Sequence, residues 1–337
     1  MAERHGQKIK TMCVLDALRR YSDEDHPLNA QEICAYLEKN GVSAERKSVY
    51  DDISVLCDYG YDIIKTTLPK TGWFLGSREL EAPEVYLLTD AVRSARFISA
   101  KKTRELVKKL NSMLSVHQAA SRENGVYFDD RLKCANEELY YNIDSLSRAI
   151  SLKMKVKFKY CTRILSKKRE IETVYKEMTL SPYALTWQDD HYYLIGNYEK
   201  YDNLIHLRVD RMKNVEITDS KRRNFSEVSP YTDSFDTADY VNKLFSMYGG
   251  ELKTIELRCN KRIIEQVIDR FSDKIFIRNV TDGTFTFSID AAVSEALVTW
   301  IINYGSDIEV ISPAELREKI LERAKKVTEI YKIEKND

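Results

Sequence analysis

Period-two alternation is the clearest signal in this chain, and it is densest between residues 153 and 209. Residues 153–160 (KMKVKFKY) set Met154, Val156, Phe158 and Tyr160 on one face and Lys153, Lys155, Lys157 and Lys159 on the other. That pattern predicts a half-buried strand with a solvated lysine face. Lysines so placed either protect a sheet edge from aggregation or form a cationic wall for nucleic acid, and alternation does not choose between them. A strand over 172–180 follows, then three runs rich in β-branched and aromatic residues over 183–187, 191–198 and 204–209. Polar turns at 188–190 and 199–203 separate these runs, as in consecutive antiparallel hairpins. Within 205–210, His206, Arg208 and Asp210 share one face, and Ile205, Leu207 and Val209 the other. A strand with an apolar core face and a His/Arg face offers a site for an anion.

Upstream the period changes to that of helices. Residues 8–21 place Ile9, Met12, Cys13, Leu15 and Leu18 at helical spacing. Asn29 and Glu32 form a capping-box pattern for a second helix through Lys39, with Gly41 beyond its end. A third helix is predicted from Ser43 to Tyr59, stopped by Gly60, and strands over 62–67 and 72–76 are joined across Pro69, Lys70 and Thr71. Three helices and a hairpin make the plan of a winged helix-turn-helix over residues 1–80. A helical connector over 81–150 comes next, with one long helix at 89–116, a polar loop at 115–126 and another helix at 130–150. After the strand-rich region 151–223 and a polar stretch at 220–237, the order β-α-β-β-α-β over 252–311 is ferredoxin-like. A last helix over 313–331 has Ser312 as N-cap, Pro313 at N1 and Glu315 at N3. The fold class read from these patterns is α+β.

Composition narrows the function. The chain has 337 residues and a net charge of zero. That charge is uneven: −2 over 1–80, +1 over 81–150, +6 over 151–223 and −5 over 224–337. Positive charge concentrated in one segment points to an anionic partner for that segment. No apolar run approaches the ~20 residues that span a bilayer, and the polar start MAERHGQKIK lacks a signal-peptide core, so a cytoplasmic protein without a membrane partner is expected. The six cysteines form no C-x-x-C pair and the five histidines no H-x-x-x-H spacing, which predicts buried free thiols and no metal site or other cofactor. Glycine-rich phosphate loops and the G-x-S-x-G elbow are missing, so an enzyme is not expected.

Several stretches carry a family resemblance. Tyr192-Tyr193-Leu194-Ile195-Gly196, followed by His206-Leu207-Arg208-Val209-Asp210-Arg211, resembles the WYL domain of bacterial transcriptional regulators, with Tyr192 standing where tryptophan is usual. The run from Ser43 through Arg46, Lys47, Ser48, Val49, Tyr50, Asp51, Asp52 and Ile53 to Leu56 resembles the recognition helix of DeoR-like winged-helix regulators, with Asp51 in place of a common basic residue. Trp300, Gly305, Glu309, Val310, Pro313, Leu316 and Arg317 are spaced as in the WCX extension found behind many WYL domains. The resemblance implies an SH3/Sm-like barrel for the WYL region, a connector that helps to form a homodimer, and double-stranded operator DNA as partner. Ser43, Arg46, Lys47, Ser48 and Tyr50, with Lys65, Lys70 and Thr71 on the wing, are the candidate DNA contacts. For the WYL region it implies a single-stranded nucleic acid or nucleotide effector at Ser181, Tyr183, Tyr192, Tyr193, His206, Arg208 and Arg211. Arginine forks match phosphate, and tyrosine rings offer stacking faces. Against this, one of Tyr192 and Tyr193 faces the core, and Arg211 beside Asp210 can be a simple ion pair. The alternative reading is an RNA- or single-strand-binding accessory protein whose winged helix serves protein contact.

Overall fold

A computed structural model describes residues 2–121, 133–229, 236–273 and 275–331. The chain divides into two compact units, Met1–Glu137 and Glu138–Asp337. The first unit begins with α1 (Ala2–Tyr21), α2 (Ala30–Lys39) and α3 (Arg46–Tyr59), then the antiparallel hairpin of β1 (Ile63–Thr66) and β2 (Gly72–Leu75). Local chemistry sets these ends. The Asn29 side chain accepts from the N–H groups of Gln31 and Glu32 at 2.9 Å, and Glu32 reaches back to the Asn29 N–H at 2.9 Å. Gly60, at φ 110°, ends α3 in a left-handed conformation that only glycine adopts without strain. Val14, Leu18, Ile33, Leu37, Val49, Ile53 and Leu56 close the three helices over Trp73 of the hairpin.

Two expectations in this unit change. Glu45 is extended at φ −92° and ψ 152°, so α3 starts at Arg46, and Ser43 lies in the coil before it rather than on the helix. The single helix expected over 89–116 is broken into α4 (Ala82–Ser94) and α5 (Ala100–Asn111), followed by α6 (Val116–Ser121). Ala95 turns extended at ψ 104°, and Ser99 restarts the chain by accepting from the Lys102 N–H at 3.2 Å. Within the loop expected at 115–126, residues 116–121 are helical instead, and the helix expected from 130 starts only at Leu139, residues 133–138 being non-helical; residues 122–132 lie outside the described residues.

The second unit opens with α7 (Leu139–Leu152), which packs on a five-stranded sheet of β3 (Met154–Leu165), β4 (Ile171–Gln188), β5 (His191–Asn197), β6 (Leu204–Arg208) and β7 (Met212–Lys221). The strand order is β6-β5-β4-β3-β7. The runs expected at 172–180 and 183–187 are one continuous strand, β4, which pairs with β3 through Leu180 and with β5 from Ser181 onward. The fifth strand is β7, which its sequence hides. A left-handed Asn214 and a register shift against β3 break its alternation, so Met212, Val215 and Ile217 fall out of phase. The barrel expected for this region is instead an open sheet: its edges, β6 and β7, are linked by a 3-10 turn over Val209–Arg211 and do not pair.

After α8 (Thr237–Asn242) come β8 (Glu251–Asn260), α9 (Ile264–Phe271), β9 (Ile277–Val280), β10 (Thr284–Val293), α10 (Glu295–Asn303), β11 (Ile308–Ser312) and α11 (Ala314–Ile330). The antiparallel order β11-β8-β10-β9 is the ferredoxin-like order expected from the sequence. Its core gathers Ile255, Leu257, Phe287, Leu297, Ile301 and Leu316. Pro313, not Ser312, caps α11, so that helix begins one residue later than its sequence suggests. Ile195 of β5 packs with Tyr240, Leu244, Met247 and Ala292 of β10, which joins the two sheets of this unit. All six cysteines are free; Cys259 is buried, Cys57 is exposed and the other four are half-buried, where buried thiols were expected throughout. No helix among the described residues is long and apolar enough to cross a membrane.

Candidate anion-binding pocket

Strand β6 ends at Arg208, and the next three residues turn as a 3-10 helix. Strict alternation would put Arg211 on the face opposite Arg208. The turn brings it round, and both arginines line a cavity of about 990 Å³ together with Tyr160, Tyr193, His206 and Tyr240. Arg208 donates through Nε and Nη2 to the two carboxylate oxygens of Asp210 at 3.0 and 2.7 Å. This fork holds the guanidinium in place at the cavity wall. Arg211 is exposed and lies beside Tyr160, whose hydroxyl pKa is raised by burial, with the guanidinium pulling the other way.

His206 has a different character from the one its spacing suggests. Its Nε2 shares a 2.9 Å hydrogen bond with the Tyr240 hydroxyl. Burial pushes its pKa down to about 4, against the opposing pull of a hydrogen bond to the Met247 backbone. At neutral pH the ring is uncharged, so the two arginines carry the positive charge and His206 is a polar wall. A folded-state pKa below the ordinary value means that the unfolded chain binds the extra proton. The stability that the neutral ring contributes is therefore present above about pH 6.5 and lost as pH falls towards 4, on the order of 3 kcal/mol by linkage. Thermal melts between pH 7 and 4 should fall more steeply for the wild type than for His206→Gln; parallel curves would show that the ring is not held neutral.

Ser181, Tyr183 and Tyr192 are not brought to this cavity. Ser181 Oγ accepts from the Arg223 N–H at 3.0 Å, and the Tyr183 hydroxyl donates to the Arg223 carbonyl at 3.0 Å. The Tyr183 ring packs against Phe225 at 5.0 Å and carries the Arg222 guanidinium at 5.1 Å. Both residues thus tie β4 to the segment after β7. Tyr192 meets Trp187 edge to face at 4.9 Å, on the side of β5 opposite Tyr193. In contrast, Tyr160, Tyr240 and Met247 line the cavity without having been singled out by sequence. Tyr160 reads as the apolar face of a lysine strand, and the other two fall in a segment with no periodic signal.

In the first unit, Arg46, Lys47 and Tyr50 are exposed on the opening turns of α3, and Ser48 is half-buried, its hydroxyl donating to the Glu45 carbonyl at 2.8 Å. Arg46 donates to the Gln31 side chain, which ties α3 to α2. Tyr50 stands edge to face on Trp73 at 4.9 Å, and Lys65 lies 5.8 Å from the same indole. Lys70 pairs with Glu32 at 2.6 Å, while Ser43 and Thr71 are exposed. The exposed helix start and the hairpin therefore meet at Trp73. Among the described residues no cluster of His, Cys, Asp or Glu is placed to hold a metal ion.

Comparison with known proteins adds to this geometry. The family model for the WYL domain matches residues 141–217, and that for the WCX domain matches residues 251–328. The former span takes in α7 and the five-stranded sheet up to β7, the latter the ferredoxin-like sheet and α11. No curated protein matches the chain. Among solved structures, proteasome accessory factor B/C (PafBC) of Arthrobacter aurescens is similar over 97% of this chain and 49% of that one, at 14% identity and a TM-score of 0.27. The chain thus spans about half the length of that protein. The chain therefore carries a WYL domain over residues 141–217 and, behind it, a WCX domain over residues 251–328.

Proposed function

We propose that this chain is a dimeric bacterial transcriptional regulator that reads operator DNA with α3 and the β1–β2 hairpin. Its cavity takes a nucleotide or a single-stranded nucleic acid as effector. The observation that carries this reading is the convergence of Arg208 and Arg211 on one cavity with the rings of Tyr160, Tyr193 and Tyr240. Guanidinium groups match phosphate oxygens, and tyrosine faces accept bases. For the effector to act as a switch, it must bind the DNA-competent and incompetent forms with different affinity.

The DNA-reading half rests on exposed cations at the start of α3, supported by a hairpin at Trp73. Arg46→Ala together with Lys47→Ala should weaken operator binding and lower the melting temperature only slightly, since both side chains are exposed and the Arg46–Gln31 hydrogen bond lies at the surface. A lost base-edge contact costs about 1–3 kcal/mol, and a lost phosphate contact lowers the salt slope by about one. Unchanged isotherms across a salt series remove α3 from the interface. Binding to single strands alone, with none to duplex, favours the reading as a single-strand accessory protein.

A further inference from the structure

The β3–β4 hairpin continues well past the sheet that contains it. Strand β7 pairs with β3 no further than Tyr160, and β5 pairs with β4 only from Ser181. Beyond those points Cys161 to Leu165 pair only with Tyr175 to Ile171, a two-stranded ribbon of five residue pairs. At about 3.4 Å per residue this arm is roughly 17 Å long before its turn. From Thr162 to Lys176 almost every side chain on both faces is exposed. An isolated two-stranded ribbon is marginal in water, so an arm of this kind needs something to lie against.

Its chemistry says what. The turn carries Lys167, Lys168 and Arg169 in succession, with Arg163 and Lys176 on the strands below, against Glu170 and Glu172. Among the described residues none of Arg163, Lys167, Lys168 and Arg169 has an ion-pair partner. The turn is closed by the Ser166 N–H to the Glu170 carbonyl at 2.9 Å and the Arg169 N–H to the Ser166 carbonyl at 3.0 Å. Arg169 sits at φ 63°, in the left-handed region that favours glycine. The turn therefore keeps a cation where backbone strain disfavours one, and such strain concentrates at functional positions. Directly beneath, Leu165 and Ile171 face each other across the ribbon, each 75% exposed.

We infer that this arm is a second nucleic-acid contact, distinct from α3 and from the cavity, which lays its basic turn into a groove of duplex DNA. A major groove of about 12 Å width admits a two-stranded ribbon. Successive lysine and arginine side chains reach phosphates on both walls, and an apolar pair behind them packs on sugars and base edges. Pairing of two arms from two copies of the chain brings like charges together, which argues against self-association at this tip.

The test uses the full-length protein and a random-sequence duplex, so that no operator is needed. Lys167→Ser, Lys168→Ser and Arg169→Gly are combined, in the wild type and in the Arg46→Ala, Lys47→Ala background. The slope of log affinity against log salt should fall by about 2–3 in both backgrounds, with an affinity loss of about tenfold or more at low salt. The melting temperature should not fall, because glycine relieves the left-handed position. If the triple variant folds poorly, Lys167→Gln with Lys168→Gln leaves the turn backbone untouched and should lower the slope by about 1–2. An unchanged slope overturns the inference. So does unchanged DNA affinity with an altered mass by light scattering, which assigns the arm to a protein partner. Loss confined to the wild-type background also overturns it, since the arm then acts only through α3; a failure of the α3 variants alone leaves the arm's contribution standing.

Discussion

Arg211→Glu should weaken binding of nucleotides and single-stranded oligonucleotides to the cavity by well over tenfold while leaving the thermal melt as in the wild type. Arg211 is exposed at the end of a 3-10 turn, so little packing depends on it. Loss of one charge-assisted hydrogen bond costs about 1.5–3 kcal/mol, and reversal adds repulsion, so affinity should fall by well over tenfold. Arg208 is a less clean probe, because its fork holds Asp210, which is only 12% exposed. Arg208→Gln should lower both affinity and stability, the latter by about 1–3 kcal/mol, since the Asp210 carboxylate loses the two hydrogen bonds of the Arg208 fork. Fluorescence anisotropy with labelled oligonucleotide, beside urea denaturation, separates the two arginines. Wild-type affinity in Arg211→Glu would remove the cavity from the proposed function.

Ile195→Ala should be the most destabilising single change near the cavity. Ile195 is fully buried on β5 and packs with Tyr240, Leu244, Met247 and Ala292, the cluster that links the WYL sheet to the WCX sheet. Truncation removes three methyl or methylene groups at a junction between two sheets, for a cost of about 2–5 kcal/mol; Ile195→Val should cost about 0.5–1.5 kcal/mol. Because Tyr240 also bonds His206, the larger truncation should weaken effector binding as well. Equal midpoints for the alanine and valine variants in urea would show that this cluster does not hold the two sheets together.

The N-terminal helices and hairpin are legible because their signals are local. The Asn29–Glu32 capping box, the left-handed Gly60 and the 3.6-residue spacing of Val49, Ile53 and Leu56 each act within a few residues. The same holds for the lysine-faced strand, where Val156 and Phe158 are buried and Lys157 and Lys159 exposed, and for the ferredoxin-like element order. Misreadings cluster where the backbone departs from its period. Asn214 shifts the phase of β7, Ala95 breaks an otherwise continuous helical pattern, and an extended Glu45 leaves Ser43 outside α3.

The pocket was legible only in part, and for a physical reason. Alternation and residue type place His206 and Arg208 on one face of β6, and arginine and tyrosine chemistry marks them as an anion site. Arg211 is named through the family resemblance, but only the 3-10 turn explains how it reaches that face, and neither alternation nor residue type could bring in Tyr160, Tyr240 and Met247, which come from three other segments. Nor could they exclude Ser181 and Tyr183, whose hydroxyls are taken up by Arg223 forty residues on. The charge of His206 depends on its burial beside Tyr240, a long-range effect that leaves no trace in its neighbours along the chain. Spacing along the chain carries what hydrogen bonds and rotamers enforce within a few residues; which distant side chains share a cavity, and in what protonation state, is set by the packing of β5, β6 and α8.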